Sequence, residues 1–153
     1  MASETLAIVP LIALTLGAVA LGGGLYETLL VDPVWPRNPA VIQPRRGGLD
    51  RKRFWGPVHG LFEVALLVSA WTGWGDAAAR PWFVAALWAH LVARAWSFAY
   101  FIPWALRFEK MGDLSEEQVG LARRWIRLSR CRPVLELASI VSLGAAVLFL
   151  ARG

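Results

Sequence analysis

Four long apolar runs, nearly free of charge, constrain this chain more than any other feature. Residues 5–26 contain no charged group, and the runs 54–75, 81–106 and 133–151 contain only one or two ionisable residues each. About 20 apolar residues suffice for a helix to cross the hydrocarbon core of a bilayer, whereas membrane strands need alternating segments of about 10 residues. The sequence therefore predicts one all-α domain over 1–153, an integral membrane four-helix bundle with spans at about 6–30, 56–75, 82–106 and 133–151.

The composition excludes several other classes of protein. Apolar residues make up 57% of the 153 positions and charged residues only 18%, where soluble domains average about 25% charged. The single cysteine excludes a disulfide-stapled scaffold. The first run has no positively charged stretch before it, so we interpret it as a mature helix and not as a signal peptide.

The distribution of Lys and Arg predicts an orientation. Thirteen of the sixteen basic residues lie in the loops after the first and third runs. The positive-inside rule then places these two loops in the cytoplasm and both termini outside the inner membrane. The net charge of +5 is accounted for in this way, and we expect no nucleic-acid partner. Tryptophans support the frame, because they are enriched at membrane interfaces. Those predicted at the cytoplasmic boundary are Trp35, Trp55, Trp104 and Trp125, and those at the outer boundary are Trp71, Trp74 and Trp82.

The two basic loops differ in character. Four prolines and two glycines in the first loop exclude a long helix and predict an ordered or semi-ordered extended segment. In the third loop, Ser115 and Gln118 match a capping box, followed by an amphipathic helix to about Ser129. That helix either lies on the bilayer surface or extends the fourth span inward with a kink at Pro133.

Glycines crowd the inner half of the first span. Two interpretations are open, since small residues let a neighbouring helix approach closely, while glycine at a helix end also gives flexibility. The residues concerned are Gly17, Gly22, Gly23 and Gly24.

Ionisable residues inside spans are costly to insert, so they are functional candidates by default. A rise of about 1.5 Å per residue places polar groups from all four helices in the inner half of the bilayer. We expect these groups to form one polar site. The candidate catalytic residues are Glu27, His59, Glu63, Arg94 and Tyr100, and the candidate ligand-binding residues are Tyr26, His90, Trp96, Ser97 and Glu136.

Arg94 needs a specific partner, because its guanidinium stays charged near the bilayer centre. Glu63 is the nearest carboxylate by depth, and a Glu63–Arg94 pair would tie the second helix to the third. The alternative is that Arg94 binds an anionic or carbonyl group of a ligand.

A metal or haem centre is the less favoured interpretation. Di-iron sites in four-helix bundles use a Glu-x-x-His pair on two helices, and this sequence contains none. We therefore predict no stoichiometric metal, no haem and no other cofactor.

Three short motifs carry a family resemblance. They are Gly23-Gly24-Leu25-Tyr26-Glu27 before Pro33, Tyr100-Phe101-Ile102-Pro103-Trp104-Ala105-Leu106, and the segment 125–132 before the last run. In these the chain resembles small four-helix bacterial membrane proteins of the anthrone-oxygenase-like family. The resemblance implies a four-span fold, and relatives of anthrone oxygenase are thought to oxidise polycyclic aromatic substrates without a classical cofactor. The chain departs from this pattern in its Pro-rich first loop, His59 and His90.

Length and span number also resemble the membrane-associated glutathione-transferase family. The Asn-x-x-Glu pattern expected there is missing, because His59-Gly-Leu-Phe-Glu63 stands in its place.

Two functional hypotheses follow from the polar residues. In the first, the protein is an enzyme acting on an aromatic or isoprenoid-like molecule from the inner leaflet. His59 would exchange protons, the glutamates would orient it or stabilise charge, and Arg94 or Tyr100 would polarise a substrate oxygen. In the second, the polar groups only lock the helices or bind a small molecule without chemistry. The partners expected are the lipid bilayer and a hydrophobic ligand, and a homo-oligomer is left open.

Overall fold

A computed structural model describes the backbone of residues 2–152 and the side chains of residues 8–152. All of its regular secondary structure in that range is helical, without a strand, which confirms the predicted all-α class. Four helical segments make up most of the described chain, and three of them combine two or more helical elements. The first segment is α1 (Ala2–Tyr26), which ends in a π-helical turn (Glu27–Val31), and the second is α2 (Lys52–Gly73). The third consists of α3 (Arg80–Trp96), a π-helical turn (Ser97–Phe101) and α4 (Ile102–Lys110). The fourth consists of α5 (Glu116–Ser129) and α6 (Cys131–Leu150).

Two of these segments are long and apolar enough to cross a membrane. They are Ile8–Val31 and Glu116–Leu150. The helices α2 and α3 do not reach that combination of length and hydropathy. The structure therefore supports two candidate spans by length and composition, where the sequence predicts four.

The segments pack in a ring that is open on one side. α1 lies between α2 and α6, and α6 lies between α1 and α3. The apolar core of this ring is built around Phe62, Leu66, Phe83 and Leu143, which are fully buried. α2 and α3 are joined by a short loop and run antiparallel, but they contact each other much less than the other neighbouring pairs do. The gap between them is the seam of the bundle.

The glycines of α1 mark close packing at three of the four predicted positions. A Cβ on Gly17 would lie 2.9 Å from Ile140 Cγ1, one on Gly23 would meet the ring of Phe54, and one on Gly24 would lie 3.5 Å from Glu136 Oε2. Gly22 has open space around it. The helix runs unbroken past these residues, so the packing interpretation explains them better than flexibility does.

A second apolar core lies at the end of the bundle that carries the first and third loops. We call it the loop-side core, and it is built from Trp35, Ile42, Phe101, Phe108 and Trp125. Trp35 and Trp125 were predicted at the membrane boundary, but both are buried inside the protein. Their aromatic rings pack edge-on at 6.1 Å, and the Trp125 indole donates to the carbonyl of Phe101. Packing against other rings removes them from any interfacial role.

The first loop is folded against this core in compact turns and is not extended. It forms 3₁₀ turns at Pro39–Ile42 and Pro44–Arg46. The buried Gln43 amide nitrogen lies within hydrogen-bond distance of the carbonyls of Phe108, Met111 and Gly112. Phe108 lies in the last turn of α4, and Met111 and Gly112 directly follow the helix. The carbonyls at a helix end lack a partner within the helix, so Gln43 both caps α4 and fixes the loop.

Asp32 opens the same loop and is almost fully buried. Loss of solvent raises its pKa to about 6, against the opposing effect of the Trp35 indole that donates to its Oδ1 at 3.2 Å. The carboxyl is thus held in a place where ionisation is unfavourable.

The structure distinguishes between the two interpretations of the amphipathic helix in the third loop. Ser115 and Gln118 form both hydrogen bonds of the predicted capping box at the start of α5. The apolar face of α5 is buried against the loop-side core through Ala122, Trp125 and Ile126. α5 therefore leads directly into α6, and its apolar face is covered by protein. The interruption falls at Arg130 and not at Pro133.

Candidate functional site

The seam between α2 and α3 contains two cavities of similar size. The loop-side cavity has a volume of about 270 Å³ and the mid-seam cavity about 290 Å³. Arg94 is the one residue that lines both, so the cavities adjoin at its side chain. Six of the predicted site residues line one or both of these cavities, namely Glu27, His59, Glu63, His90, Arg94 and Ser97.

The loop-side cavity has a mixed lining of charged, aromatic and small residues. Glu27, His59, Arg94 and Ser97, four of the predicted site residues, are among them. The rest of the lining is Arg51, Lys52, Trp55, Gly56, Phe98, Phe101, Ile102, Ala105, Leu106, Glu109, Trp125 and Arg132.

Both π-helical turns of the protein border this cavity. Glu27 begins the first turn, and Ser97 begins the second. In each case the residue before a proline donates to a carbonyl five positions back, as Asp32 does to Glu27 and Ile102 to Ser97. A proline ring clashes with the carbonyl four residues earlier, and the wider turn relieves that clash. Pro33 and Pro103 thus account for the wider π-helical turns beside the cavity.

His59 has an unusual set of neighbours. Its ring stacks on Trp55 with centroids 5.0 Å apart, and the Trp55 indole donates to Glu27 Oε1 at 2.8 Å. Its Nε2 lies 3.6 Å from Glu136 Oε1 on α6, which is too long for a good hydrogen bond. Its Nδ1 is buried and has no hydrogen-bond partner among the described residues. The imidazole is therefore held in place by stacking, with hydrogen-bonding capacity to spare.

The pair predicted from depth, Glu63 with Arg94, is present. Glu63 Oε2 lies 3.6 Å from Arg94 Nε and 4.0 Å from His90 Nε2. The guanidinium also covers the ring of Phe98 at 4.5 Å. Glu63 is 46% exposed, so the pair lies at the open side of the seam and not in the bundle core as expected. Glu63 and His90 line the mid-seam cavity, otherwise apolar, with Arg94 at its edge.

Arg132 lines the loop-side cavity and was assigned only to the basic third loop by the sequence. Its guanidinium lies over the rings of Phe101 and Trp125, at 4.6 and 5.7 Å from their centroids. Its buried Nε has no hydrogen-bond partner, and no carboxylate of the described side chains comes within the ion-pair distance of 4.0 Å. The position directly before Pro133, one helical turn from Glu136, is the only sequence signal that sets it apart from its basic neighbours.

Other predicted residues lie away from the loop-side cavity. Tyr26 is exposed on the outside of α1, and Trp96 and Tyr100 pack on Phe101 beside the loop-side core. Glu136 is buried behind His59, in a small space on the α6 side. Tyr100 therefore is not placed to polarise a ligand in this cavity.

Within residues 8–152, no three His, Cys, Asp or Glu side chains come together in a way that could hold a metal ion. The two histidines belong to different cavities. No protein-family model, curated protein or solved structure matches the chain.

Proposed function

We propose that this is an integral membrane protein with four spans, formed by α1, α2, α3 with α4, and α6. The outward faces of α2 and α3 support this, although neither helix is as apolar overall as α1 or α6. Large apolar side chains that line neither cavity are exposed on them, among them Leu61, Val64 and Trp71 on α2 and Trp82 and Val92 on α3. An apolar surface of this kind suits lipid and is unfavourable in water. The positive-inside rule then places the first and third loops in the cytoplasm.

A cysteine-accessibility experiment tests this topology. Gly75 and Gly112 lie at opposite ends of the bundle, and a Cβ at either would meet nothing within 4 Å. In a Cys131→Ser background, which removes the single native cysteine, Gly75→Cys should react with a membrane-impermeant maleimide on intact cells. Gly112→Cys should react only after the membrane is permeabilised. Labelling of Gly112→Cys on intact cells would refute the orientation.

The protein binds a hydrophobic small molecule in the loop-side cavity, and we propose that it is an enzyme acting on that molecule. The observation that carries this proposal is His59, which lines a cavity of about 270 Å³ while its buried Nδ1 has no partner. Buried polar atoms are nearly always hydrogen-bonded, so an exception next to a cavity indicates a missing ligand or water. A purely structural polar network would instead fill its own space.

His59 is the group suited to proton transfer. A neutral imidazole can accept a proton from a ligand, and stacking on Trp55 holds the His59 ring in place for this. Arg94 is engaged with Glu63 and Phe98, so it positions the seam and does not contact the reacting atoms. The anthrone-oxygenase-like resemblance stays a prediction.

Two matched glycine substitutions test binding. Gly56 lines the cavity and Gly60 does not, yet both lie on α2 with open space around them. Gly56→Phe should fill the cavity, whereas Gly60→Phe adds the same side chain one turn along α2, at a position that does not line the loop-side cavity. Native mass spectrometry of protein released from mild detergent should show a bound small molecule in the wild type and in Gly60→Phe, and its loss in Gly56→Phe. Equal occupancy in all three proteins would refute the site.

The alternative is a protein whose polar groups only lock its helices, favoured by the links from α2 to α3 and α6 through Glu63 and His59. His59→Ala separates the two functions. An enzyme should keep its bound molecule and stop converting it, so that unconverted substrate accumulates on the protein. A structural His59 should instead lower the unfolding temperature and leave the bound species unchanged.

A further inference from the structure

We infer that the ligand is a single-chain amphiphile with an anionic head. The head binds beside Arg132 in the loop-side cavity, and the chain lies along the seam into the mid-seam cavity. This inference rests on the proposed binding function and names its ligand class. It follows from the charges at one end of the seam, the apolar lining at the other, and the length between them.

The loop-side cavity has an excess of positive charge. Its lining includes four cationic residues, Arg51, Lys52, Arg94 and Arg132, and two carboxylates, Glu27 and Glu109. Glu109 is shared, since it lies 2.7 Å from Lys52 Nζ and 3.7 Å from Arg51 Nη2. Glu27 accepts from an indole and pairs with no cation within 4 Å among the described side chains. Glu63 compensates Arg94 from outside this lining, so one positive charge of the lining remains in excess.

Arg132 is the one cation of this lining that has no carboxylate of the described side chains within 4 Å, because Glu27, Asp32 and Glu136 border a small space beside it but lie farther away. The guanidinium of Arg132 packs on the faces of two aromatic rings. Its five N–H groups point outward in the plane of the guanidinium, so the ring faces accept none of them. Planar forks of this kind bind carboxylate and phosphate in bidentate fashion. Arg94 differs in that Glu63 already compensates its charge. The head therefore binds at Arg132, and the chain can pass Arg94 without meeting an unpaired charge.

The rest of the seam fits a hydrocarbon chain. The mid-seam cavity is lined mainly by Leu66, Leu67, Val84, Leu87, Trp88 and Leu91. On α2 the two cavities are lined from Lys52 to Leu67, which is about 22 Å at 1.5 Å per residue. One leaflet of the hydrocarbon core is about 15 Å thick. The seam is thus long enough for a lipid chain that stands in one leaflet and for its head.

Photo-crosslinking tests the inference with a palmitic acid that carries a diazirine in its chain. The full-length protein is placed in phosphatidylcholine nanodiscs and irradiated, and the labelled peptides are identified by mass spectrometry. We expect labels on the seam faces of α2 and α3. Arg132→Leu should reduce labelling at least tenfold. Arg130→Leu removes an exposed arginine two residues away and should leave labelling unchanged.

Competition on the wild-type protein gives the same test without a variant that could misfold. Dodecyl phosphate or dodecanoate should compete with the probe, and the stronger of the two identifies the head group. Dodecanol, with the same chain and no charge, should compete at least tenfold more weakly. Dodecanol competing as well as the anions, or Arg132→Leu labelled like Arg130→Leu, would overturn the anionic head.

The outcome for the proposed function is separate. If dodecanol competes equally while Gly56→Phe still abolishes labelling, the cavity binds a hydrophobic molecule and only the ligand class is wrong. If Gly56→Phe and Gly60→Phe label equally, binding at this cavity fails as well. Labels confined to the outer faces of α1 and α6 would overturn both, because they indicate annular lipid only.

Discussion

The ion pair between Glu63 and Arg94 gives the most informative perturbation of this bundle. Two unit charges 3.6 Å apart attract by about 4.6 kcal/mol at an effective dielectric constant of about 20. Much of this attraction is offset by desolvation of Arg94 and by the exposure of Glu63. His90 Nε2, at 4.0 Å, leaves Glu63 a second polar neighbour if Arg94 is removed. We therefore expect a coupling free energy of about 1–2 kcal/mol.

A double-mutant cycle measures this coupling. Arg94→Leu alone should destabilise the protein, and Arg94→Leu with Glu63→Leu should recover most of the loss, because apolar replacements often match such pairs. The free energies come from SDS-induced unfolding in mixed micelles, followed by circular dichroism of the helices. The double variant should still bind the photoactivatable palmitate, since the chain only passes this pair.

The matched control is the pair Arg46–Asp113. It is shorter, at 2.8 Å, but its side chains are 43% and 84% exposed, so its coupling should stay below about 0.5 kcal/mol. A Glu63–Arg94 coupling no larger than that of the control would refute the reasoning. It would mean that the open side of the seam is as well solvated as the protein surface.

Two further predictions concern the loop-side core. Because burial raises the pKa of Asp32 from 3.8 to about 6, its ionisation should weaken the fold as pH rises through that window, by about 3 kcal/mol. Asp32→Asn keeps an acceptor for Trp35 but cannot ionise. The unfolding temperature of this variant should therefore exceed that of the wild type by a margin that grows from pH 4 to pH 7. A margin that stays constant with pH would contradict this. Gln43→Ala leaves buried carbonyls unpaired, so it should lower the free energy of unfolding by about 2–3 kcal/mol and make the first loop sensitive to trypsin. Asn38 is exposed in the same loop, and Asn38→Ala should change neither quantity.

Much of the local structure could be predicted from the sequence. The capping box at Ser115 depends only on residues three apart, and the structure forms it. The apolar runs predicted the positions of the long helices to within a few residues for the same reason, since helix formation is local. The Glu63–Arg94 pair could also be predicted, because depth along two antiparallel helices follows from counting residues.

Other features depend on how each helix is rotated about its axis and on which neighbour it packs against. Trp35 and Trp125 fit a membrane-interface pattern, but packing of the first loop on α5 buries them. Arg132 is one of several arginines that lie close together in the sequence, and only its contact with Phe101 and Trp125 sets it apart. The open seam itself arises because α2 packs on α1 and α3 packs on α6. No residue spacing encodes that choice, since it depends on the shapes of side chains far apart in the chain.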